Sequence, residues 1–303
     1  MPIPGKYTVA PIKKLSNVHD LAMMHTPGVV GPCSEIAKNP EVAFMYTNKA
    51  RTVALFSNGT SVLGLGNLGA LASKPDLEGK AALYKRFSGV DCVDVCVDTP
   101  DAETFTNVVK VMSPSFGAIN LENIKAPDCF EIEASLKKKM SIPVFHNDQH
   151  GTAVIVLAAL LNALEIKGKS IESVKIVCNG AGAAGIACMD LLIRAGAVQR
   201  NCYLCDTKGV IYKGRKENMN PQKEALANPI IGSDMTFEEI ADGADVLIGL
   251  SVEGAFSLEV MRNLNIDPII FALANPDPEI NPVKAKQLRP DCIAATSSPE
   301  FDN

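Results

Sequence analysis

Residues 174–206 read VKIVCNGAGAAGIACMDLLIRAGAVQRNCYLCD, and this stretch decides the fold. An apolar run predicts a strand, the motif Gly180-Ala181-Gly182-Ala183-Ala184-Gly185 follows it, and a stretch without proline or glycine then predicts a helix. In this context the first glycine makes a tight turn, the second admits a pyrophosphate, and the third lets the helix pack on the strand. We therefore predict that these six residues contact a dinucleotide.

The residue expected at the adenosine ribose lies at the end of the next strand. That predicted strand, Asn201–Cys205, leads into Asp206, which is 21 residues after Gly185. A carboxylate at this place favours NAD, because it can accept hydrogen bonds from the ribose 2′-hydroxyl. Lys208 lies two residues further on and could instead pair with the 2′-phosphate of NADP. The sequence leaves the choice between NAD and NADP open.

A second copy of the glycine pattern occurs earlier, as Gly64-Leu65-Gly66-Asn67-Leu68-Gly69. Pro75 follows within a few residues, and a proline so close to the motif predicts a loop more than the start of a helix. We therefore expect this copy to form a tight backbone turn that lines a second ligand, in preference to a phosphate cradle.

Apolar runs alternate with helical stretches along the chain, which is typical of an α/β protein with a mostly parallel sheet. The predicted strands are Thr52–Phe56, Ser61–Leu65, Cys92–Val97, Val174–Cys178, Cys202–Cys205, Asp245–Ile248 and Ile269–Leu273. The predicted helices include Cys129–Lys139, Thr152–Ile166, Ile186–Ala195 and Phe237–Ala241.

The length of 303 residues predicts two domains, since a domain usually takes roughly 100–200 residues. A polar segment, 167–174, follows a long predicted helix, so we place the division there, with domains 1–165 and 166–303. The tail from Ala294 to Asn303 is loop-like and comes directly after a strand. A doubly wound domain would cover that strand with a further helix, so we expect the second domain to be truncated at its C-terminus.

Composition excludes several classes of protein. Twenty-nine Lys+Arg against 34 Asp+Glu give a net charge of −5, which argues against nucleic acid as the main partner. The longest apolar stretch, Ala153–Leu161, is far short of the roughly 20 residues of a membrane helix. No secretory signal is visible, and most of the nine cysteines sit in apolar, strand-like runs. We predict a reduced, cytoplasmic protein that binds neither nucleic acid nor membranes.

Polar residues gather at the ends of apolar segments in the first domain. Lys80 follows the glycine loop, Glu122 and Asn123 end one apolar segment, and Asp148 lies in the run HNDQHG after another. Buried polar groups need partners, so such a concentration suggests a site. The oxygens of Glu122, Asn123 and Asp148 suit Mg²⁺ or Mn²⁺. The alternative is a hydrogen-bonded loop that closes a domain.

Across nearly its whole length the chain resembles malic enzymes, in particular the small bacterial type. The matching runs are His25–Val29, Gly59–Gly69, Glu78–Lys80, Phe116–Glu122, Pro143–Ala153, Asn179–Ala187, Cys205–Arg215 and Phe271–Pro276. The resemblance implies an N-terminal α/β domain of the malic enzyme type and a C-terminal Rossmann-type NAD(P)-binding domain. It also implies oxidative decarboxylation of malate to pyruvate and CO₂, with NAD or NADP and a divalent metal ion, by a homo-oligomer that is a dimer or a tetramer.

The resemblance also implies roles for single residues. Lys80 matches the family's general base, and burial or a nearby cation is expected to promote loss of its proton. The metal ligands match Glu122, Asn123 and Asp148, and Asn275 matches an asparagine that lines the nicotinamide and the substrate. His25 stands where the family has a proton-donating tyrosine, and histidine also titrates near neutral pH.

Three further positions depart from the family pattern, because asparagine stands where the family usually has aspartate. They are Asn58, Asn123 and Asn147. These losses of negative charge are expected to weaken metal binding and the orientation of Lys80. Two alternatives to a malic enzyme therefore stay open: a decarboxylase of oxaloacetate without net oxidation, and a dinucleotide-binding protein that no longer catalyses.

Overall fold

Helices and strands alternate through the computed structural model, which describes residues 4–301. The strands are β1 Thr52–Ser57, β2 Asp91–Cys96, β3 Ala118–Leu121, β4 Val144–His146, β5 Ile176–Asn179, β6 Cys202–Asp206, β7 Gly209–Val210, β8 Val246–Gly249, β9 Ile269–Ala272 and β10 Ile293–Thr296. The helices are α1 Val18–Met24, α2 Val30–Lys38, α3 Ala43–Tyr46, α4 Lys74–Ser88, α5 Ala102–Met112, α6 Asp128–Lys139, α7 Asn147–Lys167, α8 Ala183–Arg194, α9 Pro221–Leu226, α10 Phe237–Ala241, α11 Leu258–Asn263 and α12 Pro282–Leu288.

The chain forms two compact units. Unit 1 consists of residues up to Thr60 together with Asn67–Ile124 and Glu131–Phe145. Unit 2 consists mainly of His146 onward, and it also takes in the short segments Ser61–Gly66 and Lys125–Phe130. The whole of α7 therefore belongs to unit 2.

Unit 1 is built on a sheet with the strand order β2-β1-β3-β4, in which β1 runs parallel to both β2 and β3. The central strand β1 is almost wholly buried, as its run of apolar residues predicts. Helix α4 packs on this sheet through Leu77 and Ala81, which contact Leu55 and Cys92. This packing holds α4 beside the carboxyl ends of the strands.

Unit 2 is built on a sheet with the order β10-β9-β8-β5-β6-β7, parallel except for the short edge strand β7. Counted within the unit, this is the order 6-5-4-1-2-3 of a dinucleotide-binding fold. The connections reverse direction between β5 and β8, and ligands of such sheets bind at the carboxyl ends of the two strands that meet there. The predicted α/β fold with a Rossmann-type second half is confirmed.

Two local predictions around the first glycine motif are wrong. Ser61–Leu65 is not a strand but a loop, held by backbone hydrogen bonds between Val62 and Gly66 and between Leu65 and Val62. Pro75 does not prevent a helix, because it lies in the first turn of α4. Proline is tolerated there since the first amide groups of a helix have no acceptor within the helix.

Helix α7 is longer than the apolar stretch Ala153–Leu161 that marks it in the sequence. Among the described helices it alone has the length and composition to cross a membrane, with 33% of its most apolar window buried in the protein. Core helices of soluble proteins pass the same test, so the absence of a membrane partner stays a prediction.

All nine cysteines are free thiols, and seven of them are buried. Cys202 and Cys205 lie in β6 and are both buried, which fits a structural role for this pair. Free, buried thiols fit the predicted reduced protein, whose cytoplasmic location stays a prediction.

Candidate active site

Lys80 and Glu122 form an ion pair at the carboxyl end of the unit 1 sheet. Lys80 lies on α4 and Glu122 directly follows β3, and the amine of Lys80 donates to Oε1 of Glu122. The Glu122 side chain is only 3% exposed, and the backbone amide of Glu122 donates to the carbonyl oxygen of Phe56 in β1. A buried carboxylate is costly unless it is paired, so this lysine is needed where it stands.

Asn120, which lies in β3 two residues before Glu122, contacts the same carboxylate. Its Nδ2 lies 3.2 Å from Oε2 of Glu122 and donates to it. The Asn120 side chain is buried, and its Oδ1 has no hydrogen-bond partner among residues 4–301. Buried acceptors of this kind are rare in proteins unless a water or an ion satisfies them.

Asn123 contacts an acidic residue of α4. Its Nδ2 donates to Oδ2 of Asp76 at 2.8 Å, and the residue is 4% exposed. Its backbone has a φ of 55°, in the left-handed region that asparagine tolerates better than most residues. Residues 122 and 123 are therefore both tied to α4, through Lys80 and Asp76.

The loop after β1 is fixed by Asn58. Its Oδ1 accepts from the hydroxyl of Thr60 at 2.7 Å, and its Nδ2 donates to the carbonyl oxygen of Thr99 at 3.3 Å. A Cβ on Gly59 would lie 2.1 Å from the carbonyl oxygen of Gly69, so the backbone at Gly59 passes the end of the first glycine motif too closely for a side chain. Asn58 therefore acts as a loop anchor in this structure.

In unit 2, Asp148 lies in the first turn of α7 and close to a buried histidine. Nε2 of His146 is 3.3 Å from Oδ2 of Asp148, and Nε2 of Gln149 is 2.9 Å from Nδ1 of His146. The His146 ring is therefore held at the start of α7, with Gln149 on one ring nitrogen and Asp148 close to the other.

Asn147 is one of the three positions where the family usually has aspartate, and its side chain lies against Gly151 in the first turn of α7. A Cβ on Gly151 would lie 2.3 Å from Oδ1 of Asn147. The glycine in the run HNDQHG is therefore required by the position of the Asn147 side chain.

The donor set fits a hard divalent cation in its chemistry. Glu122, Asn123 and Asp148 offer oxygen atoms, as Mg²⁺ and Mn²⁺ prefer, and the unpartnered oxygen of Asn120 lies on the residue that supports Glu122. Within residues 4–301, no three His, Cys, Asp or Glu side chains are grouped so that they could hold a metal ion. Only two of the predicted ligands are of those types, because Asn123 is an amide.

The second glycine motif has the geometry of a dinucleotide-binding turn. Gly180 has a φ of 119°, and a Cβ on it would lie 2.2 Å from the carbonyl oxygen of Leu250 after β8. A Cβ on Gly185 would lie 1.8 Å from the carbonyl oxygen of Gly180, so glycine is needed for α8 to pack this closely. A Cβ on Gly182 meets nothing within 4 Å, which leaves the middle of the turn open.

Helix α8 begins at Ala183 directly behind this turn and has no side-chain cap. Its first amide groups, including that of Ala184, have no acceptor in the helix and can donate to phosphate oxygens. The turn and the start of α8 follow β5, which is one of the two strands between which the strand order reverses.

Asp206 lies at the end of β6 and is surrounded by donors. Oδ1 accepts from Nη2 of Arg215 at 2.6 Å and from the amide of Lys208 at 2.9 Å. Oδ2 accepts from Nζ of Lys223 at 2.7 Å and from Nδ2 of Asn218 at 2.9 Å. A carboxylate has about four acceptor positions, and all are filled here.

The charges of this group do not cancel. The side chains of Arg215, Lys223 and Asp206 are 3%, 7% and 7% exposed, so two buried cations face one buried anion. Burial acts to raise the pKa of Asp206, but hydrogen bonds from Lys223 and Arg215 outweigh it and the pKa lies below its ordinary value. The Lys208 side chain is half exposed and pairs with Glu217 at 2.7 Å.

Asn275 lies in the loop after β9. Its carbonyl oxygen would be 2.1 Å from a Cβ on Gly64, so the first glycine motif passes close to it within unit 2. Its Oδ1 lies 3.1 Å from the hydroxyl of Ser297. Nearby, the buried carboxylate of Glu279 accepts from the amides of Ser251 and Ala274 at 2.9 Å each, and it ties the loops after β8 and β9 together.

His25 ends α1 in an exposed segment of unit 1. Its Nδ1 lies 3.1 Å from the hydroxyl of Thr26, and its carbonyl oxygen accepts from the amide of Val29. Its described contacts are all with its own segment. Among the described contacts, none joins His25 to Lys80 or Glu122.

The sequence does not predict three side-chain contacts: that of Asp76 with Asn123, and those of Arg215 and Lys223 with Asp206. Asp76 precedes Lys80 by one helical turn, and this spacing would have drawn attention to it once α4 was recognised. Arg215 and Lys223 lie 9 and 17 residues after Asp206, and no local pattern reveals that their side chains return to it.

Comparison with known proteins gives matches along the whole chain. Residues 4–137 match the family model described as the malic enzyme N-terminal domain, and residues 149–302 match that of the malic enzyme NAD-binding domain. A crystal structure of the NAD-dependent malic enzyme from Thermotoga maritima has a TM-score of 0.93 and 39% sequence identity, covering 99% of this chain and 79% of that one.

Two curated relatives differ in length. The NADP-dependent malic enzyme of Rhizobium meliloti is 52% identical over 300 residues, which are 99% of this chain and 39% of the relative. The NADP-dependent malic enzyme of Halomonas elongata is 49% identical, covering 100% of this chain and 71% of the relative. The chain thus spans about two fifths of the length of the Rhizobium protein.

Proposed function

This chain belongs to the malic enzyme family, and from that premise we propose that it oxidises malate and decarboxylates it to pyruvate and CO₂, with NADP as the preferred electron acceptor. The observation that carries the proposal is the ion pair of Lys80 with the buried Glu122. It joins a base to an oxygen ligand at the carboxyl edge of a parallel sheet, where α/β enzymes hold their ligands.

Lys80 would act first in this reaction. For this step Lys80 would be the neutral amine, with the divalent cation in place of its ammonium group as the partner of Glu122. The proton of the malate C2-hydroxyl then passes to the Lys80 amine while hydride leaves C2 for the nicotinamide, so that malate becomes oxaloacetate. A divalent cation, when bound, supplies a Lewis acid that stabilises negative charge on the substrate oxygens. Glu122, Asn123 and Asp148 are the side chains that would hold it.

The second stage breaks the bond between C3 and the adjacent carboxylate. CO₂ leaves, the electron pair stays as the enolate of pyruvate, and a proton must then reach C3. We propose His25 as the donor of that proton, since it stands where the family has a proton-donating tyrosine and a histidine ring can carry a transferable proton.

The dinucleotide would bind on the second glycine motif. The glycines at 180, 182 and 185, the intervening alanines and the amides at the start of α8 would receive the pyrophosphate, and Asn275 would line the nicotinamide side. The open space at Gly182 and the uncapped start of α8 support this placement.

NADP is favoured by the charges around Asp206. All four acceptor positions of its carboxylate are filled, so it has none left for a ribose 2′-hydroxyl. Arg215 and Lys223 leave the group with one excess positive charge, which attracts a 2′-phosphate. The half-exposed Lys208 is paired with Glu217, so it adds no net charge, but it lies close enough along the chain to contact the phosphate.

We expect Lys223→Gln to change the cofactor preference. The variant removes the excess charge and returns acceptor capacity to Asp206, so KM should rise for NADP and fall for NAD. The ratio of kcat/KM for NADP to that for NAD should drop by about 10-fold or more, as expected for the loss of one charged contact. Steady-state kinetics with both cofactors measure it, and Lys213→Gln, at an exposed position of the same segment, is the control. An unchanged ratio would contradict this basis for NADP preference.

We also propose that the protein is a homo-oligomer. Among the described residues, helices α1, α2 and α3 have no buried side chain, while Val9, Val18 and Met45 are 89%, 82% and 81% exposed. Apolar exposure over so long a segment is unusual for a monomer. A second copy of the chain is the partner that this segment would cover.

Light scattering after size-exclusion chromatography should give the mass of two or four chains. The double variant Val18→Asp/Met45→Asp is expected to shift that mass to one chain, because each carboxylate would be buried without a partner in the interface. Lys14→Asp, an exposed polar position of the same segment, is the control. A single-chain mass for the unaltered protein would refute the oligomer.

The direct test of the function is the absorbance of reduced nicotinamide formed with malate and Mn²⁺, run with NADP and with NAD. A malate-dependent rise is expected with both, and a faster one with NADP. Pyruvate formed from oxaloacetate, without any rise from malate, would instead identify a decarboxylase that does not oxidise. Neither product from folded protein that binds dinucleotide would identify an impaired relative.

A further inference from the structure

Helix α4 presents two charged side chains to two consecutive residues after β3. Asp76 and Lys80 are four residues apart, so they lie on the same face of the helix. Lys80 contacts Glu122, and Asp76 contacts Asn123. The acid that the family has at position 123 is an amide in this chain, and a carboxylate lies one hydrogen bond away from it.

The contact between Asp76 and Asn123 determines how the amide is turned. A carboxylate only accepts, so the group at 2.8 Å from Asp76 is the Nδ2 of Asn123. The Oδ1 atom then points away from Asp76, since the two branches of an amide diverge. Without an acceptor at this place, the amide could also turn its NH₂ group toward a cation and repel it.

We propose that Asp76 is a positioning residue for the divalent cation: it turns Oδ1 of Asn123 toward the ion, and it supplies beside Asn123 the negative charge that the amide lacks. This inference rests on the proposed function, in which Glu122 and Asn123 are cation ligands. It accounts for an asparagine at a ligand position without loss of the site's overall charge.

The surroundings of Asp76 and Asn123 support this role. Asn123 is 4% exposed and is held at a φ of 55°, so its side chain has little freedom to find another partner. Asp76 lies in the first turn of α4, where an acid also interacts favourably with the helix dipole. The pair therefore occupies a fixed position, as a residue that orients a metal ligand must.

The test measures Mn²⁺ binding to the full chain by the loss of the electron paramagnetic resonance signal of free Mn²⁺, without substrate and without turnover. Asp76→Asn keeps the shape of the side chain but removes its charge. We expect the Kd for Mn²⁺ to rise about 10–100-fold, the usual effect of losing a residue behind a metal ligand. Glu131→Gln, at an exposed position of α6 in unit 1, removes the same charge elsewhere and should leave the Kd unchanged.

The double variant Asp76→Asn/Asn123→Asp exchanges the two side chains. It restores one carboxylate and one amide facing each other, with the carboxylate now at the ligand position. Mn²⁺ affinity should return to that of the unaltered chain or exceed it, because one carboxylate again lies beside Glu122. Melting curves of the metal-free variants check that both fold.

The proposal fails if Asp76→Asn binds Mn²⁺ as tightly as the unaltered chain, or if the exchange does not restore binding lost in the single variant. Either result leaves the cation in the proposed function untouched, because the unaltered chain still binds Mn²⁺. An unaltered chain that binds no Mn²⁺ would overturn both the cation in the proposed function and the role of Asp76.

Discussion

Lys80→Arg is expected to lower kcat for malate oxidation by about 10²–10⁴-fold, the usual contribution of a general base. Arginine keeps the positive charge beside the buried Glu122, so the ion pair that stabilises this carboxylate is preserved. It cannot accept the proton of the substrate hydroxyl, because the guanidinium stays protonated in proteins. The loss should therefore appear in turnover and not in folding.

Steady-state kinetics and melting curves separate these effects. The melting temperature of Lys80→Arg should lie close to that of the unaltered protein, and the Kd for NADP should not change. Lys85→Arg is the matched control, since Lys85 lies on the same helix and pairs with Asp91 at an exposed position. If Lys80→Arg retained most of the turnover, Lys80 would not be the base.

Asp206→Ala is expected to destabilise the protein by about 3–5 kcal/mol, the range for breaking a buried ion pair from one side. The substitution leaves Arg215 and Lys223 buried beside each other without an anion, and four hydrogen bonds lose their acceptor. Urea unfolding at neutral pH measures the change. Asp190→Ala is the control, because its pair with Arg194 on α8 is exposed and should contribute at most about 1 kcal/mol.

The same group of charges gives stability a dependence on pH. The pKa of Asp206 is below its ordinary value in the folded protein. Its contribution to the free energy of unfolding is therefore complete at pH values above the ordinary pKa of a carboxyl group. It is lost as the pH falls through the lower, folded-state value. The difference in unfolding free energy between the unaltered protein and Asp206→Ala should therefore shrink on acidification. A difference independent of pH would contradict the ionised Asp206.

The Rossmann-type half could be predicted because its signals are local. A strand, a glycine turn and a helix follow one another between residues 174 and 195. Close approaches at Gly180 and Gly185 leave no space for a Cβ. The strand order then follows from the usual connections of such sheets.

Unit 1 was harder to predict because its signals depend on tertiary contacts. The short strand β3, with only Ala118–Leu121, lies within a stretch whose pattern gives no clear period. The sequence does not predict the start of α4, because Pro75 so close to the glycine motif indicates a loop, although a proline in the first turn of a helix costs no hydrogen bond. The error hid the face of α4 that bears Asp76 and Lys80.

The site residues divide in the same way. Lys80, Glu122 and Asn123 are predicted by resemblance to a family, but the contact of Asn123 with Asp76 is not. Asp76 and Lys223 reach their partners over 47 and 17 residues of sequence, and a single sequence carries no signal for such pairings. These partners alter the local charge beside Asn123 and beside Asp206, which is why they matter for the proposed cation and cofactor binding.

The measurement that tests the central claim most directly is the joint quantification of NADPH and pyruvate formed from malate in the presence of Mn²⁺. Oxidative decarboxylation predicts equal amounts of the two products at every time point, with neither formed when malate or NADP is left out. If malate gave NADPH and oxaloacetate but no pyruvate, oxidative decarboxylation would be contradicted. The absence of both NADPH and pyruvate, from folded protein that binds NADP and Mn²⁺, would contradict it as well.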